Sequence, residues 1–268
     1  AVCLVHVWRN AASTTPMDVT VVTAGGINGA TPDNSAITPV TQGAVIVDAA
    51  MATDDDNTLP TVSAPTGFGN LVRAQVDPGA AVSAGMVSKA WGSGADGTAD
   101  WGNWDTTNTN TDSAITIAIR PATTFLGNDT NPGSNPTIAP EAATTTVGTF
   151  NLKTDGYSDT ATSTTVTLAT GTGTSTVAVL ITNSANSTTY CTSYNPSSDA
   201  ISLTGCNLPI SNASTTFNIR IKPLTHSAMP APPGGTYNVT ALVTSIGSTY
   251  LSGGADTTSD TITIDNAS

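Results

Sequence analysis

Basic residues are scarce in this chain. Of its 268 residues, seven are Lys or Arg and 19 are Asp or Glu, so the formal net charge at pH 7 is −12. Proteins that bind nucleic acid or an anionic membrane surface need clustered Lys and Arg to neutralise phosphate groups. The composition therefore argues against both partners, and we expect a neutral polar surface of the kind that suits proteins exposed outside cells.

Signatures of membrane spans and of common enzymes are missing as well. No apolar run approaches the ~18 residues of a membrane-spanning helix. The chain has no Gly-x-Ser-x-Gly elbow, no Cys-x-x-Cys and no other zinc-binding spacing. Of its two histidines, we expect His6 to be a packed or edge residue and His226 to lie in a surface loop. We therefore predict no membrane span, no enzymatic activity, and no cofactor apart from a candidate calcium ion.

The residues that are abundant are typical of β structure. Thr and Val favour strands, whereas Gly, Asn and Pro favour turns. Short apolar segments alternate with turn residues and show no helical period, which predicts β-sandwiches. In the first half of the chain the predicted strands are residues 1–8, 19–23, 44–50, 70–76, 85–91 and 115–120.

Residues 1–8 are apolar on both faces of a strand. Successive side chains of a strand point to opposite faces, so this pattern predicts a strand buried between two layers. We accordingly predict that Cys3 is a buried structural thiol. An unpaired strand at this place can complete the sheet of a neighbouring subunit. The candidate assembly residues are Val2, Leu4, Val5 and Val7.

Four stretches of the first half resemble a known module. Residues 7–10 (Val-Trp-Arg-Asn), 14–19, 35–44 and 118–121 resemble a jelly-roll module that recurs in tailed-phage structural proteins and related surface proteins. The resemblance covers most of residues 1–121 and implies a jelly roll without catalytic residues. In that family the Val-Trp-Arg strand follows several earlier strands. We therefore expect a processed product or a fragment whose first domain lacks its opening strands.

A composition break separates the two halves. Residues 120–140 contain four prolines and two glycines, and both residue types weaken regular strand pairing. We predict an all-β protein with two β-sandwich domains joined by a connector. The predicted organisation is a jelly-roll-like sandwich at 1–121, a linker at 122–140 and an immunoglobulin-like sandwich at 141–268.

The second half contains eight short strand patterns, which fits an immunoglobulin-like sandwich. Residues 233–241 resemble the entry to the sixth strand of immunoglobulin-like repeats in bacterial and phage surface proteins. The resemblance implies that Tyr237 stands in the position of a tyrosine corner. The predicted strands are residues 147–152, 164–168, 176–182, 188–193, 200–204, 216–222, 236–243 and 260–264.

Cys191 and Cys206 flank a predicted hairpin with its turn at residues 195–199. A hairpin would bring the two cysteines together, either as a disulfide or as two half-buried reduced thiols. A disulfide closing a loop of this size adds roughly 3 kcal/mol to stability, and it would indicate an oxidising compartment.

Two loop clusters are candidate ligand sites. Asp54, Asp55 and Asp56 supply carboxylates of the kind that bind Ca²⁺, as do the acidic residues between 96 and 105; the alternative is that both are solvated acidic loops. Trp101 and Trp104 lie in a glycine-rich stretch where indole rings can stack on sugars. The alternative is that these two rings cap the open end of a sandwich.

These observations favour three functions. The first is a non-enzymatic structural protein of a virion, a capsid decoration or tail-associated protein that contacts other copies of itself or other virion subunits. The second is a secreted bacterial surface filament subunit or adhesin. The third is a carbohydrate-binding module that recognises cell-surface glycans through Trp101 and Trp104. Each of them places the protein on a virion surface or outside the cell.

Overall fold

The protein is built from strands. The computed structural model describes residues 2–27, 32–54, 62–76, 81–96, 99–101, 111–128, 137–229, 236–240, 242–257 and 261–265. In these residues the regular structure consists of seventeen strands and two single-turn 3-10 helices, Gly173–Ser175 and His226–Ala228, so the predicted all-β class is confirmed. The chain divides into two compact units, Ala1–Pro121 (unit 1) and Ala122–Ser268 (unit 2).

Unit 1 contains an antiparallel sheet of five strands. These strands are β1 (Val22–Ile27), β2 (Val45–Asp54), β3 (Gly69–Val76), β4 (Ala81–Ala90) and β5 (Thr111–Ile119). Their order across the sheet is β1-β5-β2-β4-β3. The central strand β2 pairs with β4 over all ten of its residues and with β5 over eight. Each strand overlaps a segment that the short apolar runs between turn residues predict as a strand.

One face of this sheet, which we call the covered face, packs against loops of unit 1. Ile46 and Val87 on this face are fully buried, and the Trp101 side chain of a loop is 2% exposed. Gly85 lies directly under the Trp101 ring: a Cβ at Gly85 would fall 2.7 Å from the ring and 2.9 Å from Val62. The loop therefore packs as closely as it does because this strand position has no side chain.

Residues 2–9 form no strand, so the predicted strand at 1–8 is wrong. Exposure alternates along the segment: Val2 and Leu4 are half-buried, whereas Val5 and Val7 are 72% and 78% exposed. This alternation fits an extended chain that lies on a surface. The segment is apolar on both sides, but a strand also needs a hydrogen-bonding partner, which the sequence pattern does not reveal. Cys3 shares the outward side and is exposed, so its predicted burial is also wrong.

Unit 2 contains twelve strands. Residues 122–194 supply β6 (Thr123–Asn128), β7 (Thr137–Ile138), β8 (Thr145–Thr154), β9 (Ser158–Thr167), β10 (Thr176–Asn183) and β11 (Thr189–Tyr194). Residues 200–265 supply β12 (Ala200–Ser211), β13 (Thr215–Pro223), β14 (Thr236–Thr240), β15 (Leu242–Ser248), β16 (Leu251–Gly254) and β17 (Thr261–Asp265). They form three sheets with the orders β11-β10-β13-β8-β6-β16, β12-β9-β15 and β14-β17-β7.

The core of unit 2 lies between the six-stranded sheet and the sheet β12-β9-β15. Phe150 of β8 and Phe217 of β13 are fully buried and stack with ring centroids 5.5 Å apart. Strand β12 contributes from the opposite sheet, because Ile201, Leu203 and Leu208 are buried between exposed neighbours. Unit 2 is therefore a β-sandwich with a core formed by side chains of both sheets.

The predicted linker at 122–140 is wrong over much of its length. Strand β6 pairs antiparallel with β8 and parallel with β16, so it lies inside the six-stranded sheet of unit 2. Strand β7 pairs with β17, while residues 129–136 lie outside the described part of the chain. Proline and glycine density indicated a connector, but the strand Thr123–Asn128 falls between the first and second prolines of the stretch.

The predicted cysteine pair, Cys191 and Cys206, forms a disulfide with an S–S distance of 2.11 Å and a Cα–Cα distance of 4.8 Å. The two residues belong to β11 and β12, which lie in different sheets. The chain between them therefore crosses from one layer of the sandwich to the other and does not form the expected hairpin. The disulfide joins the six-stranded sheet to the sheet β12-β9-β15.

Candidate functional site

The candidate site is the second face of the sheet in unit 1, which we call the open face. Residues paired across antiparallel strands point to the same side of a sheet, so the register assigns the side chains of this face. None of the open-face residues in the described strands is charged. The central ones are Val47, Ala49, Met51, Ala84, Met86, Ser113, Ile115 and Ile117.

The open face is apolar and incompletely covered. Met51 is 44% exposed and Ile115 is 40% exposed, although both lie on central strands of the sheet. Val47 is only 3% exposed, because it lies beside Trp8 and His6 of the N-terminal segment. The end of the open face around Val47 is therefore well covered, whereas the end around Met51 and Ile115 is exposed.

Residues 2–9, the N-terminal segment, lie over this face. Leu4, His6 and Trp8 are half-buried and point towards the sheet, and the rings of His6 and Trp8 meet edge to face at 5.6 Å. Two apolar cavities of about 390 and 340 Å³ remain between the segment and the sheet. Leu4 and Met86 line both cavities. The segment thus leaves space for further apolar groups.

The N-terminal segment is attached by side-chain packing. In the described part of the chain no hydrogen bond joins residues 2–9 to the sheet, and the attachment by hydrogen bonds begins at Ala11 and Ala12. Ala11 forms a bridge with Pro121, and the Ala12 N–H donates to the Arg120 carbonyl at 2.9 Å. Asn10, immediately before this anchor, has a φ of 60°, a conformation that Asn tolerates better than most residues. The backbone of residues 2–9 therefore remains available for pairing.

A buried polar cluster, centred on Asp48, lies on the covered face of the sheet. Asp48 of β2 is 1% exposed and accepts hydrogen bonds from Asn34 Nδ2 (2.6 Å), Trp101 Nε1 (2.7 Å) and Thr116 Oγ1 (2.8 Å). Burial raises the pKa of Asp48 above its usual value, and these three hydrogen bonds and the Lys89 charge oppose the rise without cancelling it. The cluster fixes loops against the sheet and has a structural role.

The structure corrects the prediction that Trp101 is a ligand-binding residue. Its ring is 2% exposed and its Nε1 donates to Asp48, so neither face of the indole is open to a sugar. The ring packs over Gly85 on the covered face of the sheet, so its role is in packing. Trp104 lies outside the described residues.

The calcium prediction falls mostly outside the described part of the chain. Asp55 and Asp56 are not described, and Asp54 is described only as the last backbone position of β2. Of the second acidic cluster, Asp96 forms an ion pair with Lys89. Among the residues that the structure describes, no three His, Cys, Asp or Glu side chains lie close enough together to hold a metal ion.

The sequence predictions include the N-terminal segment but not the sheet face beneath it. A signal for that face was present: β2 is apolar at Val47, Ala49 and Met51 as well as at the alternate positions Ile46 and Ala50. Such a two-sided pattern indicates burial on both faces of a sheet. What covers the second face depends on contacts between distant parts of the chain.

No protein-family model matches this chain, and no curated protein matches it either. In the described residues, no helix has the length and apolar character needed to cross a bilayer. The open face and the N-terminal segment are therefore the observations on which a functional conclusion rests.

Proposed function

We propose that this chain is a structural subunit of a virion, a capsid decoration or tail-associated protein that forms assembly contacts through unit 1. The observation that carries the proposal is the open face, where Met51 and Ile115 are exposed on central strands beside an apolar N-terminal segment. Exposed apolar surface of this kind marks protein–protein contact sites. We propose a virion as the assembly because residues 1–121 resemble a jelly-roll module of tailed-phage structural proteins.

Two further features support an exposed structural role. The chain has few charged side chains and a net charge of −12, which keeps a densely displayed protein soluble. The disulfide between Cys191 and Cys206 suits an oxidising setting outside the cytoplasm. In this proposal unit 1 resembles a jelly roll, unit 2 resembles an immunoglobulin-like domain, and the partners are other copies of the chain or other virion subunits.

The test is the composition of purified particles. Virions produced by the genome that encodes this chain are purified by density gradient, and their proteins are identified by mass spectrometry. We expect the chain at a stoichiometry set by the particle symmetry, with matching density at the surface by electron microscopy. Its absence from intact virions would overturn the proposal.

The second candidate is a subunit of a bacterial surface filament or an adhesin. The observation that favours it is the unpaired backbone of residues 2–9, which is suited to adding a strand to a neighbouring sheet. Fractionation of the producing bacterium separates the two candidates, because a filament subunit is recovered with the cell surface and a virion protein with particles.

A further inference from the structure

The open face of unit 1 needs a second layer. In a β-sandwich, two sheets about 10 Å apart bury the apolar faces that they turn towards each other. In the described residues of unit 1, the layer over the open face is a single extended segment, residues 2–9, with cavities of about 390 and 340 Å³ beneath it. One extended segment does not cover five strands, so the end of the face around Met51 and Ile115 remains available for another molecule.

The N-terminal segment has exposed apolar side chains and, among the described residues, unpaired backbone groups on its outward side. Val5 and Val7 point away from the sheet and are 72% and 78% exposed. The backbone N–H and C=O groups of residues 2–9 have no partner in the described part of the chain, and a row of such groups is a template for pairing with another chain. The segment and the uncovered sheet therefore expose complementary features: outward valines on the one, and apolar cavities on the other.

Charge favours a second copy of this chain as the occupant. With a net charge of −12, two copies repel each other when most parts of their surfaces approach. The open face is an exception, because its described strand residues carry no charge. An uncharged apolar face in an acidic chain is where two identical molecules can meet at the lowest electrostatic cost.

The size of the face is sufficient for such a contact. Five strands at about 4.8 Å spacing and about seven residues at about 3.3 Å each give about 550 Å² per copy for the combined surface of the uncovered sheet and the outward side of the segment that lies on it. Two copies would bury about 1,100 Å² together, which exceeds the about 1,000 Å² expected of a specific interface.

We propose that two copies of this chain associate face to face through the open faces of unit 1, with both N-terminal segments forming a middle layer between the two sheets. Each segment packs Leu4 against its own sheet and turns Val5 and Val7 towards the uncovered part of the partner's sheet. A two-fold axis relates the copies, so the same patch serves on both sides. This inference names the partner for the surface used in the proposed function, and it rests on that function.

The first experiment measures association of the full chain by sedimentation velocity over a wide concentration range. We expect a reversible monomer–dimer equilibrium. Met51→Lys places a charge on the open face, and an unpaired charge in an apolar interface weakens dimerisation on the order of 100-fold or more. The matched control is Val40→Lys, which adds the same charge at a 73% exposed position outside the sheet and leaves the equilibrium unchanged.

A second variant guards against misfolding of the first. Val7 is 78% exposed and lies outside the core, so Val7→Lys leaves the fold intact and still weakens the dimer. A wild-type chain that stays monomeric at all accessible concentrations overturns the inference. So does a dimer that persists in both Met51→Lys and Val7→Lys.

The native Cys3 thiol supplies an independent readout. It is exposed on the outward side of the segment, so its alkylation by N-ethylmaleimide slows about tenfold or more when a partner covers it. The rate should fall as protein concentration rises and recover in Met51→Lys. A matched control is Tyr194→Cys in a Cys3→Ser background, since Tyr194 of unit 2 is 72% exposed and its replacement reacts at a rate independent of concentration.

These outcomes are distinguishable from failure of the proposed function. A chain that is present in virions but monomeric, with Cys3 equally reactive at all concentrations, refutes the two-fold contact and leaves the virion role. A chain that dimerises through Met51 but is absent from virions refutes the virion role and keeps the contact.

Discussion

Asp48 shows how a single residue joins distant parts of unit 1. Its carboxylate accepts hydrogen bonds from Asn34, Trp101 and Thr116, which are 14, 53 and 68 positions away in sequence. A buried carboxylate without such donors would cost several kcal/mol. The three bonds offset much of that cost, but the pKa of Asp48 remains raised because burial still outweighs them. Asp48 is thus a pH-dependent element of stability.

We expect the substitution Asp48→Asn to change the pH dependence of unfolding. A carboxyl whose pKa is higher in the folded state binds more protons there, so stability falls as pH rises from the usual value of 3.8 through the raised folded value. The Asn variant keeps a side-chain oxygen and carries no charge. Its stability relative to the wild type should therefore increase across that window and level off above it, measured by urea denaturation at a series of pH values.

Asp159 serves as a control, because its pKa is shifted in the opposite direction to that of Asp48. Burial raises the pKa of Asp159, but hydrogen bonds from Thr124, Thr160 and Tyr250 among others outweigh burial and lower it overall. Its contribution to stability is present above pH 3.8 and is lost as pH falls through the lowered folded pKa. Asp159→Asn should thus lose stability relative to the wild type as pH rises into that range. A pH trend of the same sign in both variants would contradict these assignments.

At the scale of elements, short apolar segments between turn residues predict many of the strands, but not those whose pairing is set by distant parts of the chain. Strand β12 alternates buried and exposed side chains along its length and was recognised in part. Strand β6 was assigned to a connector, because its neighbouring prolines and glycines outweighed the apolar pair Phe125 and Leu126. Its parallel pairing with β16 joins residues more than 120 positions apart, and no local pattern encodes such a pairing. The same limit explains the false strand at 1–8 and the unrecognised link between Trp101 and Asp48.

The position of β6 predicts where unit 2 can be cut. Leu126 is 6% exposed and Thr124 is fully buried and donates to Asp159 at 2.5 Å, so β6 is part of the core. A fragment of residues 122–268 should fold cooperatively and form its disulfide. A fragment of residues 141–268 lacks β6 and β7, leaves β8 paired on one side only and β16 without its neighbouring strand, and should be strongly destabilised.

Circular dichroism during thermal unfolding, together with thiol titration, distinguishes the two fragments. Both lack unit 1, so any difference between them belongs to residues 122–140. Equal stability of the two fragments would show that those residues are a connector after all.

At the scale of the whole molecule, the two units differ in what holds them together. Unit 1 is stabilised by a buried polar cluster and by a loop packed on one face of its sheet, and its open face is incompletely covered. Unit 2 has apolar side chains from two facing sheets and a disulfide that joins those sheets. Since each unit has its own core, they need not unfold together.

We therefore expect two thermal transitions, of which a reducing agent shifts only one. The disulfide between Cys191 and Cys206 lies entirely within unit 2, with a sequence separation of 15 residues. A loop of that length contributes roughly 3 kcal/mol, which corresponds to a fall in Tm of about 10 °C for a unit of this size. The transition of unit 1 should stay in place, because its cysteine, Cys3, is unpaired. Differential scanning calorimetry with and without reductant measures both transitions.

The double variant Cys191→Ala and Cys206→Ala should already show the lowered transition and no longer respond to reductant, whereas Cys3→Ser should respond like the wild type. A shift of both transitions, or a single transition that moves as a whole, would mean that the two units unfold as one cooperative body and that the disulfide supports more than the sandwich that contains it.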